Sequence, residues 1–198
     1  MMRSSKEREL KSKINKVKTI KKKLLRRNNK FITIDSYECN LNDGRVLIRD
    51  KINKGKKDGS AVTMLPVMEN GDVLLVIQPR VFMDTTVGVE IPAGYVETNE
   101  NSESAARREL LEEAGLESTN MKKLCGYYQD DGCSGAYVEG FLATGCKKVA
   151  EQKLDKDEYI ELFICTIEEM YELVDRGIIS GVNSQFVIEK AKDILNRL

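Results

Sequence analysis

The sequence predicts an α+β fold. Strand-forming segments stand on both sides of one acidic helix, two helical segments close the chain, and no regular alternation of strand and helix suggests βαβ units. With 198 residues, 41% of them hydrophobic, the chain can bury one substantial core. It has no apolar run near the ~20 residues of a membrane span.

Residues 5–28 read as a helix, with Leu10, Ile14, Val17 and Leu24 forming a narrow apolar stripe on a basic cylinder. From Phe31 the composition turns to strand formers. "KFITIDSYECNL" and "GRVLIR" flank an Asn-Asp-Gly turn, and "SAVTMLPVM" and "DVLLVIQ" flank Asn70-Gly71, so two antiparallel hairpins are expected. A central helix follows, which Asn101 or Asn99 can cap at its start and Gly115 can stop. Three strands come next, "KKLCGYYQ", "GAYVEGFLAT" and "DEYIELFICTI", the last with Ile160, Leu162 and Ile164 on one face. Of the two closing helices, the first opens with Thr166 and Glu169 in capping-box spacing and stops at Gly177. The second carries Phe186, Val187, Ala191, Ile194 and Leu195 on a helical period.

Charge is balanced overall but unevenly placed. Residues 1–30 hold thirteen Lys or Arg against Glu7 and Glu9, a net +11, which leaves −11 on the remainder. That division suggests a basic arm docked on the acidic body of its own dimer. Contact of the arm with nucleic acid or an anionic membrane is the less favoured reading, since no aromatic residue interleaves residues 1–30. Five scattered cysteines with no CxxC pair argue against a disulfide framework or a zinc site and fit a reducing, cytoplasmic compartment. The basic start lacks the apolar core of a secretory signal. Histidine is absent, which excludes Ser-His-Asp and Cys-His machinery.

Chemistry concentrates on the central helix. Glu109 lies at i, i+3 and i+4 from Glu112 and Glu113, so all three can face one side, where like charges repel. A hard divalent cation such as Mg²⁺ reverses that sign, because it takes oxygen ligands and keeps positions for water and phosphate. A solvated acidic face is the plainer alternative.

The spacing also carries a resemblance. Gly94, five residues, Glu100, seven residues, Arg108-Glu109-Leu110, one residue, Glu112-Glu113, one residue, Gly115-Leu116 resembles the Nudix box at every defined position. "EIPAG" (90–94) and "QPR" (78–80) look like the branch that hydrolyses ADP-ribose and related nucleoside diphosphate sugars. The resemblance implies a Nudix fold, mixed β-sheets sandwiched by helices, over residues 58–198. Ahead of it stand a β segment at 31–57, similar to one that forms much of a dimer interface in that branch, and the basic helical arm at 1–30.

It further implies Glu109, Glu112, Glu113 and the carbonyl of Ala93 as ligands for Mg²⁺, with Mn²⁺ as a substitute, and Arg108 and Glu100 as struts beside Gly94. Glu109 and Glu113 then count as catalytic, with Glu158, on the loop before a late strand, as the deprotonating carboxylate and Asp157 as second choice. Arg80, Glu90 and Tyr128 are the candidate substrate contacts, and Tyr127 could stack on a base. Many ADP-ribose hydrolases carry Ser-Pro-Gly and then a glutamate. This chain has Asp130-Asp131-Gly132 and then Ser134-Gly135-Ala136, with Glu139 further on. The expected activity is pyrophosphate hydrolysis of a nucleotide-sugar-like small molecule, first ADP-ribose to AMP and ribose 5-phosphate, by a homodimer. The alternative is a nucleotide-sensing Nudix module without turnover whose basic arm binds nucleic acid.

Overall fold

The computed structural model describes residues 2, 4–19, 31–54 and 59–197. The elements run α1 (Ser4–Val17), β1 (Ile32–Asn40), β2 (Val46–Lys54), β3 (Ala61–Met68), β4 (Val73–Pro79), β5 (Val87–Glu90), β6 (Ala93–Tyr95), α2 (Ser102–Ala114), β7 (Leu116–Tyr128), β8 (Tyr137–Lys148), β9 (Glu161–Cys165), α3 (Ile167–Asp175) and α4 (Val182–Leu195).

Seven strands form one mixed sheet in the order β5-β4-β3-β8-β7, with β6 added to β3 and β9 to β4. The β3–β8 pair is parallel and the others antiparallel. Period-two alternation sends successive side chains of β3 and β4 to opposite faces, and both faces are dry. Val62, Met64, Leu74 and Val76 pack with Ala105, Ala106, Leu110 and Ala114 of α2. Leu65, Val67, Val73, Leu75 and Ile77 pack with α1, α3 and α4. Helices therefore cover the sheet on both sides, as the α+β Nudix expectation requires.

Local signals hold where they are strong. Asn101, not Asn99, caps α2, its side chain accepting from Ser104 N–H at 2.9 Å, and Gly115 ends the helix at φ 66°. Thr166 and Glu169 form the capping box of α3.

Several expectations change. The first helix ends at Val17; its expected extension to residue 28, with Leu24, falls on residues outside those described. Strand β7 starts at Leu116, directly after the helix stop, and the short strands β5 and β6 were not anticipated. Ile160, just before β9, and Leu162 within it join the core under α2, but Ile164 is exposed, while Phe163 and Cys165 are buried on the other face. That strand is sandwiched along most of its length, so a one-face reading captures only part of it.

Helix α1 docks on its own chain. Leu10 and Val17, 3% and 1% exposed, sit against the face formed by β4 and β9. Lys13 and Lys16 reach Glu161 at 3.7 and 3.5 Å, Glu7 reaches Arg176 at 3.1 Å, and the Met2 amide donates to Glu172. The thin apolar stripe thus seats the helix, and the charges rim it. Among the described residues no helix is long and apolar enough to cross a membrane.

Hairpin β1–β2 stands apart as a two-stranded sheet. Ile32, Ile34, Val46 and Ile48 share one of its faces in register and are all about half exposed or more. Its ties to the body include Ile52 N–H to the Cys133 carbonyl at 2.7 Å and Phe31 edge-on to Tyr95.

Candidate metal and active site

Strand β6 and helix α2 face one another across the site. Pairing of β6 with β3 sets Gly94 opposite Val62 and leaves its α-carbon against Glu109, where an added Cβ would overlap the carboxylate. Any other residue would push the Glu109 carboxylate aside.

Arg108 organises the acidic face. Its Nε and Nη2 donate to the two oxygens of Glu100 at 3.1 and 3.0 Å, and Nη2 also donates to the Tyr95 carbonyl at 3.0 Å. Its Nη1 lies between Glu109 and Glu112, at 2.7 and 2.9 Å. The pairing with Glu100, helped by Glu109 and Glu112, outweighs burial and holds the guanidinium far above its ordinary pKa. Expected as a strut with Glu100, this arginine bridges three carboxylates.

Glu113 is set apart from them. It is 4% exposed, and its Oε2 accepts the Ala93 N–H at 3.0 Å. Burial, reinforced by the nearby charges of Glu109 and Glu158, pushes its carboxyl up to about 8 against the pull of the Ala93 N–H and Arg80. Glu109 is also raised, by burial first, with Arg108 opposing and Glu112 and Glu158 adding to it. Such a pair resists ionising side by side until a cation compensates it.

Loop 149–160 is laced onto the end of α2. The amides of Val149 and Ala150 donate to Gly115, that of Lys153 to Glu112, and Gln152 Nε2 to the carbonyls of Glu113 (2.7 Å) and Ile160 (3.3 Å). These bonds satisfy carbonyls that a helix terminus leaves open. They also bring Glu158 within electrostatic reach of Glu109 and Glu113, although its Oε2 accepts the Asp155 amide at 3.0 Å.

Arg80 and Glu90, expected as separate substrate contacts, form a two-pronged ion pair at 2.8 and 2.7 Å, with Gln78 also on Glu90. Arg80 is held above its usual pKa by Glu90 first, with burial opposing and Glu113 adding to it. Tyr128 is 60% exposed and edge-on to Tyr137, with β8 and β3 between its strand and β6. Tyr127 packs on Phe186 at 4.9 Å and donates to Asn183 at 3.0 Å, so its ring is engaged in packing, partly buried against the core. Gln152 was not anticipated, and neither was Glu139, which takes the Ser102 hydroxyl at the start of α2 and pairs with Lys123 at 2.8 Å. No local pattern marks either residue; each acquires its role by meeting a distant element.

Among the described residues no three carboxylates or thiols converge closely enough to grip an ion. Arg108 lies between two of them. The donor set nonetheless suits a hard divalent cation: oxygen-only groups, two carboxylates made costly by burial, and a backbone opened by Gly94.

A family model described as the NUDIX domain matches residues 57–180. The chain belongs to the Nudix family. It is 31% identical to an ADP-ribose pyrophosphatase of Bacillus subtilis over 79% of this chain and 83% of that one. It is also 30% identical to a methanol dehydrogenase activator of Bacillus methanolicus, over 58% of this chain and 62% of the relative. A solved structure described as an ADP compounds hydrolase superposes with a TM-score of 0.74 over 86% of this chain and 90% of its own, at 15% identity, and shows the shared fold. This Nudix hydrolase therefore stands with the branch that includes ADP-ribose pyrophosphatases. The matched segment leaves α1, the hairpin β1–β2 and α4 outside it.

Proposed function

We propose that this Nudix hydrolase splits the pyrophosphate link of a nucleoside diphosphate derivative, with ADP-ribose plus water giving AMP and ribose 5-phosphate as the first substrate to test. The observation that carries the reading is the buried Glu113 beside Glu109 and Gly94, with Arg108 tying Glu100, Glu109 and Glu112 together. Glu109, Glu112 and Glu113 would hold Mg²⁺, or Mn²⁺ in its place, with the Ala93 carbonyl as a further oxygen. When bound, such a cation supplies Lewis acidity toward the phosphoryl oxygens and the attacking water.

The chain's own residues do the rest. Arg108 must give up Glu109 or Glu112 as a ligand set forms, and its fork on Glu100 keeps it anchored meanwhile. Glu158 Oε accepts the proton of the water that attacks phosphorus, as the bridging P–O bond breaks. Arg80, oriented by Glu90, meets a substrate phosphate. The acceptance of a proton by a positioned carboxylate is compatible with a chain that has no histidine.

The protein would work in the cytoplasm as a homodimer, the exposed apolar face of β1–β2 supplying contact area. Incubation with ADP-ribose, sugar nucleotides, dinucleotides and nucleoside triphosphates, each with Mg²⁺ or a chelator, tests the reading through product identification. AMP and ribose 5-phosphate formed only with the metal are expected. Binding of ADP-ribose without any product would favour a sensor instead.

A further inference from the structure

Thr86 is held at φ 58°, in the left-handed region, where a β-branched side chain is strained. Such positions persist when their surroundings over-determine them. Here the surroundings are the main chain just past α1. Thr86 Oγ1 accepts the Thr19 N–H at 3.3 Å, and its hydroxyl lies 3.2 Å from the Thr19 carbonyl it can donate to. Thr19 is itself two residues beyond Val17, which is 1% exposed in the core.

The clasp leads straight to the site. The Thr86 carbonyl accepts the Arg80 N–H at 3.0 Å, and the Thr86 N–H donates to Met83, whose own N–H donates to the Arg80 carbonyl. Loop 80–86 is therefore closed on itself with Arg80 at one end and Thr86 at the other. Beyond it the guanidinium of Arg80 is locked on Glu90.

We propose that Thr86 is a positioning residue: clasped by the backbone of Thr19, it sets the loop that aims Arg80, so that the docked N-terminal helix belongs to the substrate-binding apparatus. The proposal rests on the reading of Arg80 as a phosphate contact.

Full-length Thr86→Val and Thr86→Ser test it. Valine keeps the branched shape and loses the hydroxyl, whereas serine keeps the hydroxyl. With ADP-ribose and Mg²⁺, Thr86→Val is expected to raise KM about five- to tenfold, the scale of one or two ordinary hydrogen bonds, with kcat within about twofold. Thr86→Ser should match the parent. Amide exchange over residues 80–86 should quicken in Thr86→Val alone, with that of α2 unaltered. An unchanged KM in Thr86→Val, or a lowered melting temperature as its sole effect, would overturn the proposal. Exchange is read without turnover: a chain inactive on every nucleoside diphosphate derivative sinks the proposed function, while unaltered exchange at 80–86 sinks the clasp.

Discussion

Among the described residues Glu113 carries the most deeply buried carboxyl. Its folded pKa is raised by burial to about 8, from an ordinary value of 4.5. Between those values the folded chain holds a proton that the unfolded chain has released. Stability from this group is thus fully present below about 4.5 and is lost as pH rises toward about 8, with no further loss above. In chelator, the melting temperature should fall across that window, and Glu113→Gln should flatten the fall. A slope identical in the two proteins would show that the burial of this carboxyl is not what titrates. The same substitution should lower turnover by orders of magnitude while leaving the fold intact, if Glu113 belongs to the proposed ligand set and its charge is removed from it. Retained turnover in Glu113→Gln without metal would refute the assignment. Glu158→Gln should cost roughly 10² to 10⁴ in kcat with little change in KM, the range for loss of a general base. A fully active variant would move the role to Asp157 or onto the cluster.

At the scale of elements, α1 shows which force docks a charged helix. Lys16 is 57% exposed in its side chain, and an exposed ion pair is worth about 0.2–1 kcal/mol. Burial of one leucine side chain is worth about 1.5–3 kcal/mol. Leu10→Asp should therefore lower the melting temperature clearly, and Lys13→Ala with Lys16→Ala only slightly. For the same reason added salt should hardly weaken docking, contrary to what the +11/−11 division of charge suggests on its own. A melting temperature that drops with salt as far as it drops in Leu10→Asp would reverse this ranking. Helix α2 behaves differently, since its caps are local. Asn101→Ala should cost about 1 kcal/mol, read as a shift in urea midpoint, with the site geometry kept by Arg108 and loop 149–160.

For the whole molecule, hairpin β1–β2 is the part that stands outside the main sheet. Ile34 and Ile48 are 64% and 60% exposed on one face of a two-stranded sheet. A two-stranded sheet is marginal alone, and exposed isoleucines of this kind are where a partner would bind. If the partner is a second copy, the parent should elute as a dimer and Ile34→Asp with Ile48→Asp as a monomer in size-exclusion chromatography with light scattering. A parent that is monomeric at micromolar concentration would rule that partner out.

The sequence by itself determined what depends on neighbours along the chain. The caps of α2 and α3, the hairpin at Asn70-Gly71 and the spacing that puts Glu109, Glu112 and Glu113 on one helix were legible because each is written within a few residues. Strands β5 and β6 were not legible, being four and three residues long and defined by partners elsewhere in the chain. The tertiary structure alone decided that Arg108 spans three carboxylates, that Arg80 and Glu90 face each other, and that Glu113 rather than its neighbours is dry. It also decided that Ile164 faces out and that Thr19 meets Thr86. Burial, ion pairing and strain depend on which distant segments the sheet brings together, and no local period or cap encodes that.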